Sequence, residues 1–304
     1  AACLANYCSG GACVHDCNPA NFDYANVFED IAATGTARLT EMRSPYDTSV
    51  TCGDFIGSGA ATEMERMACD DGSVLLDLHA DLGFVSPDGP LGNPEGFWFY
   101  NRRYRYVSIS ANGTVLFHKD HPQALSEAEH TKFIFANVGG NAFDPDAGDS
   151  PGDPVNDGTS AAQIRVFFDD LTFISDISEQ PPADPAQPYG DFTSFGNVYT
   201  KHMPGPDGVI EDGLVGNFDD YLIIQWDRAS FFGCALNDMD RSLMTVQIKW
   251  WPATGMIAFV YPDEVNSDGE LLGPWCLPGR VNGSDAEIGL YDENGAPANV
   301  IGER

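Results

Sequence analysis

The feature that most constrains this chain is a series of short apolar and aromatic runs, separated by turn residues, between residues 97 and 261. It opens with Phe97-Trp98-Phe99-Tyr100 and Tyr104-Arg105-Tyr106-Val107-Ser108-Ile109, turns at Asn112-Gly113, and returns as Val115-Leu116-Phe117. It resumes at Ile164-Arg165-Val166-Phe167-Phe168-Asp169-Asp170-Leu171 and continues as Tyr221 to Trp226, Thr245 to Trp251 and Ile257 to Tyr261. Runs this short, rich in β-branched and aromatic residues, suit a pleated, half-buried surface. Asn-Gly between two of them signals a hairpin, because both residues tolerate the positive φ of a type I′ turn. Val107 and Ile109 alternate with Tyr106 and Ser108, which gives one buried face and one wetter face. The expected fold is an all-β sandwich, jelly-roll-like, with few helices.

The rest of the chain fits around that series. A length of 304 residues can bury a substantial core, and 32 Gly with 20 Pro suit many strands and tight turns. Val74-Leu75-Leu76-Asp77-Leu78 reads as a further strand, and Thr62-Glu63-Met64-Glu65-Arg66-Met67 as one or two helical turns. Composition divides the chain into a Cys-, Ala- and Gly-rich segment over residues 1–72 and a sandwich domain over residues 73–304. Long acidic or Pro-rich loops are expected over 137–160, 178–190 and 204–220, and loops of that length are usually functional. No apolar run approaches the roughly 18 residues of a membrane span.

Cysteine usage points to an oxidising compartment. Cys3, Cys8, Cys13, Cys17, Cys52, Cys69, Cys234 and Cys276 form an even set without Cys-x-x-Cys, which reads as disulfides. Proximity in sequence favours Cys52–Cys69 and Cys234–Cys276, with the first four paired among themselves. The opening Cys3 to Cys13 is similar to the start of an epidermal-growth-factor-like repeat, but the later Cys-x-Cys is missing, so a small stapled cap is expected. The chain as numbered begins Ala1-Ala2-Cys3, as expected after removal of a signal peptide. A secreted or cell-surface location follows.

The net charge is −31, from 46 acidic and 15 basic residues. Nucleic acid and anionic membrane surfaces are poor partners for such a chain, because both are bound by Lys and Arg. Solvated acidic surface, adaptation to high salt and bound divalent cations compete as explanations. Asp144, Asp146, Asp149, Asp153 and Asp157 alternate around a Gly bend, the pattern of hard oxygens that calcium takes from a flexible loop. Asp169 and Asp170 follow the next strand and could complete the shell. Calcium is therefore the expected cofactor, against a solvated acidic loop.

No G-x-S-x-G, H-E-x-x-H or Gly-rich phosphate loop is present, and the chain is not expected to be an enzyme. His118 and His121 lie close together and read as surface residues. Trp250-Trp251 face opposite sides of their strand, so one is core and the other a candidate sugar platform or assembly contact. Asn112-Gly113-Thr114 and Asn282-Gly283-Ser284 are acceptor sequons for N-glycans at Asn112 and Asn282.

The order of strands from Phe97 to Tyr261 resembles the nidogen-type extracellular domain. Its carriers are the hairpin through Asn112-Gly113, then Val166-Phe167-Phe168-Asp169-Asp170-Leu171 and Asn197-Val198-Tyr199-Thr200. Tyr221-Leu222-Ile223-Ile224-Gln225-Trp226 follows, with Thr245-Val246-Gln247-Ile248 and Gly255 to Tyr261. The inserts over 137–160 and 178–220 are longer than that pattern, and the stapled N-terminal region has no counterpart in it. The resemblance implies an extracellular adhesive or matrix module without enzymatic activity, and names no partner. The expected function is a secreted structural or adhesive protein, self-assembling or bound to other extracellular proteins, as a subunit of a filament, sheath or matrix. A calcium-dependent carbohydrate-binding module is the alternative, and a secreted hydrolase the third reading.

Overall fold

Alternating apolar and polar residues become two six-stranded antiparallel sheets packed face to face. The computed structural model describes residues 6–9, 12–15, 28–44, 49–56, 68–83, 97–99, 102–118, 162–168, 171–174, 196–204, 220–231, 243–251, 256–261, 264–265, 271–272, 287–291 and 297–300. In chain order the strands are β1 (Asn6–Ser9), β2 (Ala12–His15), β3 (Thr36–Ala37), β4 (Ser73–Asp77), β5 (Phe97–Phe99) and β6 (Arg102–Tyr104). Next come β7 (Tyr106–Ser110), β8 (Thr114–His118), β9 (Gln163–Phe168), β10 (Leu171–Thr172), β11 (Asn197–Met203) and β12 (Tyr221–Phe231). The last are β13 (Met244–Trp251), β14 (Met256–Val260), β15 (Glu264–Val265), β16 (Leu271–Leu272), β17 (Glu287–Tyr291) and β18 (Pro297–Val300). One short helix, α1, covers Cys52–Phe55, and residues 68–70 are helical, while the helical turns expected over Thr62 to Met67 lie outside the described residues.

The first sheet runs β18-β17-β9-β8-β7-β4 and the second β14-β13-β12-β11-β3, with β10 also on β12. The likeness to a jelly roll lies in two packed antiparallel sheets, since most neighbours in each sheet follow one another along the chain as a meander. Val107, Ile109, Val115, Phe117, Ile164 and Val166 point inward from the first sheet. Leu222, Ile224, Trp226, Val246, Ile248 and Trp250 meet them from the second. The Phe117 and Trp250 rings cross edge to face at 5.4 Å, and Trp226 Nε1 donates to the Ser110 carbonyl at 2.7 Å. Burying the large indole therefore leaves its N–H satisfied.

The hairpin at Asn112-Gly113 exists but is not the expected type I′ turn. Ile109 pairs with Val115, and of the connecting residues only Gly113 has positive φ, at 72°. That matches a longer loop closed by a left-handed glycine, which keeps the strand twist with one special residue. Gly113 is forced by space as well, because a Cβ there would lie 2.1 Å from the Phe167 carbonyl oxygen. Asn112 acts through its side chain: its Oδ1 accepts from the Leu171 N–H at 2.8 Å and its Nδ2 donates to Asp71 Oδ1 at 3.1 Å. Both amide atoms are thus engaged and the residue is fully buried. In this fold Asn112 is a buried structural residue whose Nδ2 is committed to Asp71.

The described residues between 28 and 72 share the core of the sandwich. Leu39, Met42, Cys52, Ala68 and Cys69 belong to the same cluster as the sandwich interior. β3 extends the second sheet by pairing Ala37 with Tyr199, and Arg43 bridges to Thr51 and Ser73. The Cys52–Cys69 disulfide is formed as expected, with α1 begun by a capping box between Thr51 and Asp54. β1 and β2 make their own hairpin, with Cys8 opposite Cys13.

Gly113→Ala is expected to lower unfolding free energy by more than the roughly 1 kcal/mol that left-handed backbone alone costs a non-glycine residue. Urea unfolding of the two proteins measures the difference. An unchanged midpoint would remove Gly113 from the account.

Candidate functional site

The richest group of polar and charged side chains in the described fold lies on the outer face of the second sheet. Period two along a strand sends Trp226 and Trp250 inward, so Gln225, Gln247 and Lys249 point the other way. Register completes the arrangement, with Gln225 opposite Gln247 and Ile223 opposite Lys249. Residues 28–34 lie across these side chains as a strap. Gln247 Nε2 donates to the Glu29 carbonyl and to Gln225 Oε1, both at 2.7 Å. Gln225 Oε1 also accepts from the Ile31 N–H at 3.1 Å, while its Nε2 donates to Asp30 Oδ1 at 3.1 Å. A glutamine amide carries donors and an acceptor together, which lets one pair bond both to itself and to a backbone lying over it.

Charge is paired in the same layer. Lys249 Nζ contacts Glu29 Oε1, the oxygen that also accepts from the Tyr221 hydroxyl at 2.7 Å. The ammonium lies 5.5 Å from the centre of the Tyr221 ring, a favourable place for a cation. Burial, then the hydrogen bond and charge of Glu29, push the Tyr221 hydroxyl well above its ordinary pKa. Burial also raises the Asp227 carboxyl; Asp30 adds to this, and hydrogen bonds from Gln225 and Thr245 oppose it. At the strap's far end Lys201 Nζ donates to Thr34 Oγ1 at 2.8 Å, and the Ile31 carbonyl accepts from the N–H groups of Thr34 and Gly35.

Two histidines complete the inventory. His118 is 5% exposed, not a surface residue, and its Nε2 lies 2.8 Å from Ser108 Oγ across β7 and β8. Both partners are buried, so the pair ties two strands together and does not present a nucleophile to solvent. His202 on β11 lies 3.4 Å from Asp220, and burial pushes its imidazole below the ordinary value while Asp220 pulls it up.

The expected calcium ligands Asp144, Asp146, Asp149, Asp153, Asp157, Asp169 and Asp170 fall outside the described residues. So do Cys3, Cys17, Cys234, Cys276 and Asn282, and Cys8 and Cys13 are described only as strand backbone. Among the described residues there is no group of three or more His, Cys, Asp or Glu that could hold a metal. Trp250 is wholly buried between the sheets, and Trp251, stacked on Tyr221 at 5.0 Å, is 4% exposed. The described fold therefore offers neither indole as a sugar platform. Sequence reading missed the strap and its acceptors. The available signal was two glutamines and one of only four lysines at alternate positions in strands that are otherwise apolar and aromatic.

No family model, no curated protein and no solved structure matches this chain.

Gln247→Ala removes the side-chain donor to the Glu29 carbonyl and one of the two donors to Gln225 Oε1, and is expected to cost about 1–3 kcal/mol in denaturant unfolding. A loss within a few tenths would mean that the strap is held elsewhere. His202 gives a second expectation. With its folded pKa below the unfolded 6.5, the unfolded chain binds this proton first. Its stability contribution is therefore present above that value and is lost as the pH falls through it towards the folded value. His202→Gln should flatten the decline relative to the unaltered chain, and parallel curves would show that His202 does not report the transition.

Proposed function

We propose that the chain is a secreted structural or adhesive protein of nidogen-type character, a non-enzymatic subunit of an extracellular filament, sheath or matrix. One observation carries this reading. Glu29, Tyr221, Gln225, Gln247 and Lys249, the densest polar group described, are bonded to one another beneath the chain's own strap. A catalytic or ligand site turns its reactive groups towards a substrate. Here the same residue types hold a segment of chain onto a sheet, which is an investment in rigidity. The Cys52–Cys69 disulfide is an investment of the same kind, suited to an oxidising compartment.

The charge of −31 keeps free subunits apart by mutual repulsion, so assembly needs a counterion. Calcium is the one we assign, through the acidic stretch from Asp144 to Asp157. Light scattering and electron microscopy of native material, in calcium and then in chelator, test the reading. Ordered polymers that loosen on chelation are the expected outcome. A monodisperse monomer indifferent to chelator would overturn it and bring a carbohydrate-binding module forward.

A further inference from the structure

The contact between Lys249 and Glu29 joins the two halves of a condensation. The lysine side chain is fully buried, and the glutamate side chain is 32% exposed. The backbone that carries each is anchored. The Glu29 backbone is gripped by Gln247 through its carbonyl, and the next turn of the strap is held by the Ile31–Gln225 bond. Lys249 projects from the middle of β13, paired on both sides by β12 and β14. A third group completes the set, since the Tyr221 hydroxyl donates to the same Glu29 oxygen that Lys249 contacts.

We propose that Lys249 and Glu29 condense within the folded chain into an isopeptide bond, a modification site that cross-links the strap to β13. A proton passes from the Lys249 ammonium to the Glu29 carboxylate, which leaves a neutral amine beside a neutral acid. Nζ then attacks the Glu29 Cδ carbon, and the tetrahedral carbon sheds one carboxyl oxygen. The carbon–nitrogen bond forms, the carbon–oxygen bond breaks, and two of the three ammonium protons leave with that oxygen as water. The third stays on the amide. The step is neutral in charge and needs no oxidant or co-reactant. Tyr221, as hydrogen-bond donor to Oε1, stabilises the negative charge that gathers on oxygen during the attack.

Two physical effects favour the step. Holding amine and carboxyl in contact replaces an encounter between molecules by a reaction within one, a gain that is large for well-oriented groups. The product is also a neutral amide where the reactants are a partly buried ion pair, so the cost of keeping two charges away from water disappears. The exposed part of Glu29 gives the released water a way out. The cross-link would close a loop across residues that stand 220 apart in the sequence, and would make the strap permanent.

The inference concerns a single chain and stands whether or not that chain assembles. Its test is the intact mass of the purified full-length protein after reduction and denaturation. The expected value lies one water below the sequence mass, and trypsin should fail to cut after Lys249 and yield a branched peptide containing Glu29. Lys249→Arg keeps a cation at the position but cannot form the same amide, and should restore the full mass. Tyr221→Phe should slow the conversion in freshly made protein whose circular dichroism is unchanged. A full sequence mass in the unaltered chain, with normal cleavage after Lys249, would overturn the proposal and leave a simple ion pair. Because the deciding mass is read on the unaltered chain, a variant that fails to fold cannot obscure the answer.

Discussion

The structure depends on one buried turn between β7 and β8. A buried turn is costly unless each of its polar groups finds a partner, and here those partners are what join the sheets. The Ser110 carbonyl takes the Trp226 indole N–H from the opposite sheet. The Gly113 carbonyl accepts from the Val166 N–H of β9 at 3.1 Å, and Asn112 accepts from the N–H of Leu171, where β10 begins. Three strands from both layers, β9, β10 and β12, are therefore positioned by three residues of one turn. Trp226, one of the two largest side chains of the core, is oriented by a hydrogen bond and not by packing alone, which selects one arrangement among several that would bury the same area.

The strap follows the same logic on the outside of the second sheet. In an ordinary sandwich the outer face is solvated and polar residues there need no partner. Here Gln225, Gln247 and Lys249 are all 0% exposed, so every polar atom among them has to be answered from within the chain. Residues 28–34 answer with backbone carbonyls and amides as well as with Asp30 and Glu29. Ile31, at 1% exposure, adds an apolar anchor to a layer that is otherwise held by hydrogen bonds. A polar layer of this kind is less forgiving than an apolar one, since each lost donor leaves a buried acceptor behind.

Much of this was legible in the sequence. Runs such as Val107 to Phe117, Tyr221 to Trp226 and Thr245 to Trp251 became strands because period two and β-branched content are local properties. Cys52 and Cys69 found each other because short separation in sequence limits where a half-cystine can reach. The failures share one cause, namely that they concern which residues are covered. Asn112-Gly113 signals a turn, but whether the asparagine adopts left-handed backbone or spends its amide on Leu171 and Asp71 depends on segments distant in the chain. His118 looked like the exposed end of a strand, and one of Trp250 and Trp251 looked available, because the strand pattern says which face a residue takes and not what lies over that face. The strap was invisible for the same reason, since residues 28–34 show no periodicity and gain their place only from the glutamines they meet.

The chain's charge makes sense of where its cations sit. With 46 acidic side chains against 15 basic ones, any cation lies in a strongly negative field, and that field offsets part of the cost of removing it from water. Lys249, Arg38 and Arg165 are buried, and each is met by named partners. Arg38 donates to Thr200, to Glu41 and to the carbonyl of Asp81, which ties the N-terminal residues to β11 and to the turn after β4. Arg165 donates to Gln163 within β9, and Lys249 meets Glu29 and the Tyr221 ring. A surface that repels itself would pull the fold outward if its few positive charges were spread over it. Three of them, Arg38, Arg165 and Lys249, are instead buried, and Arg38 and Lys249 hold Glu41 and Glu29 where the N-terminal segment and the strap meet the second sheet.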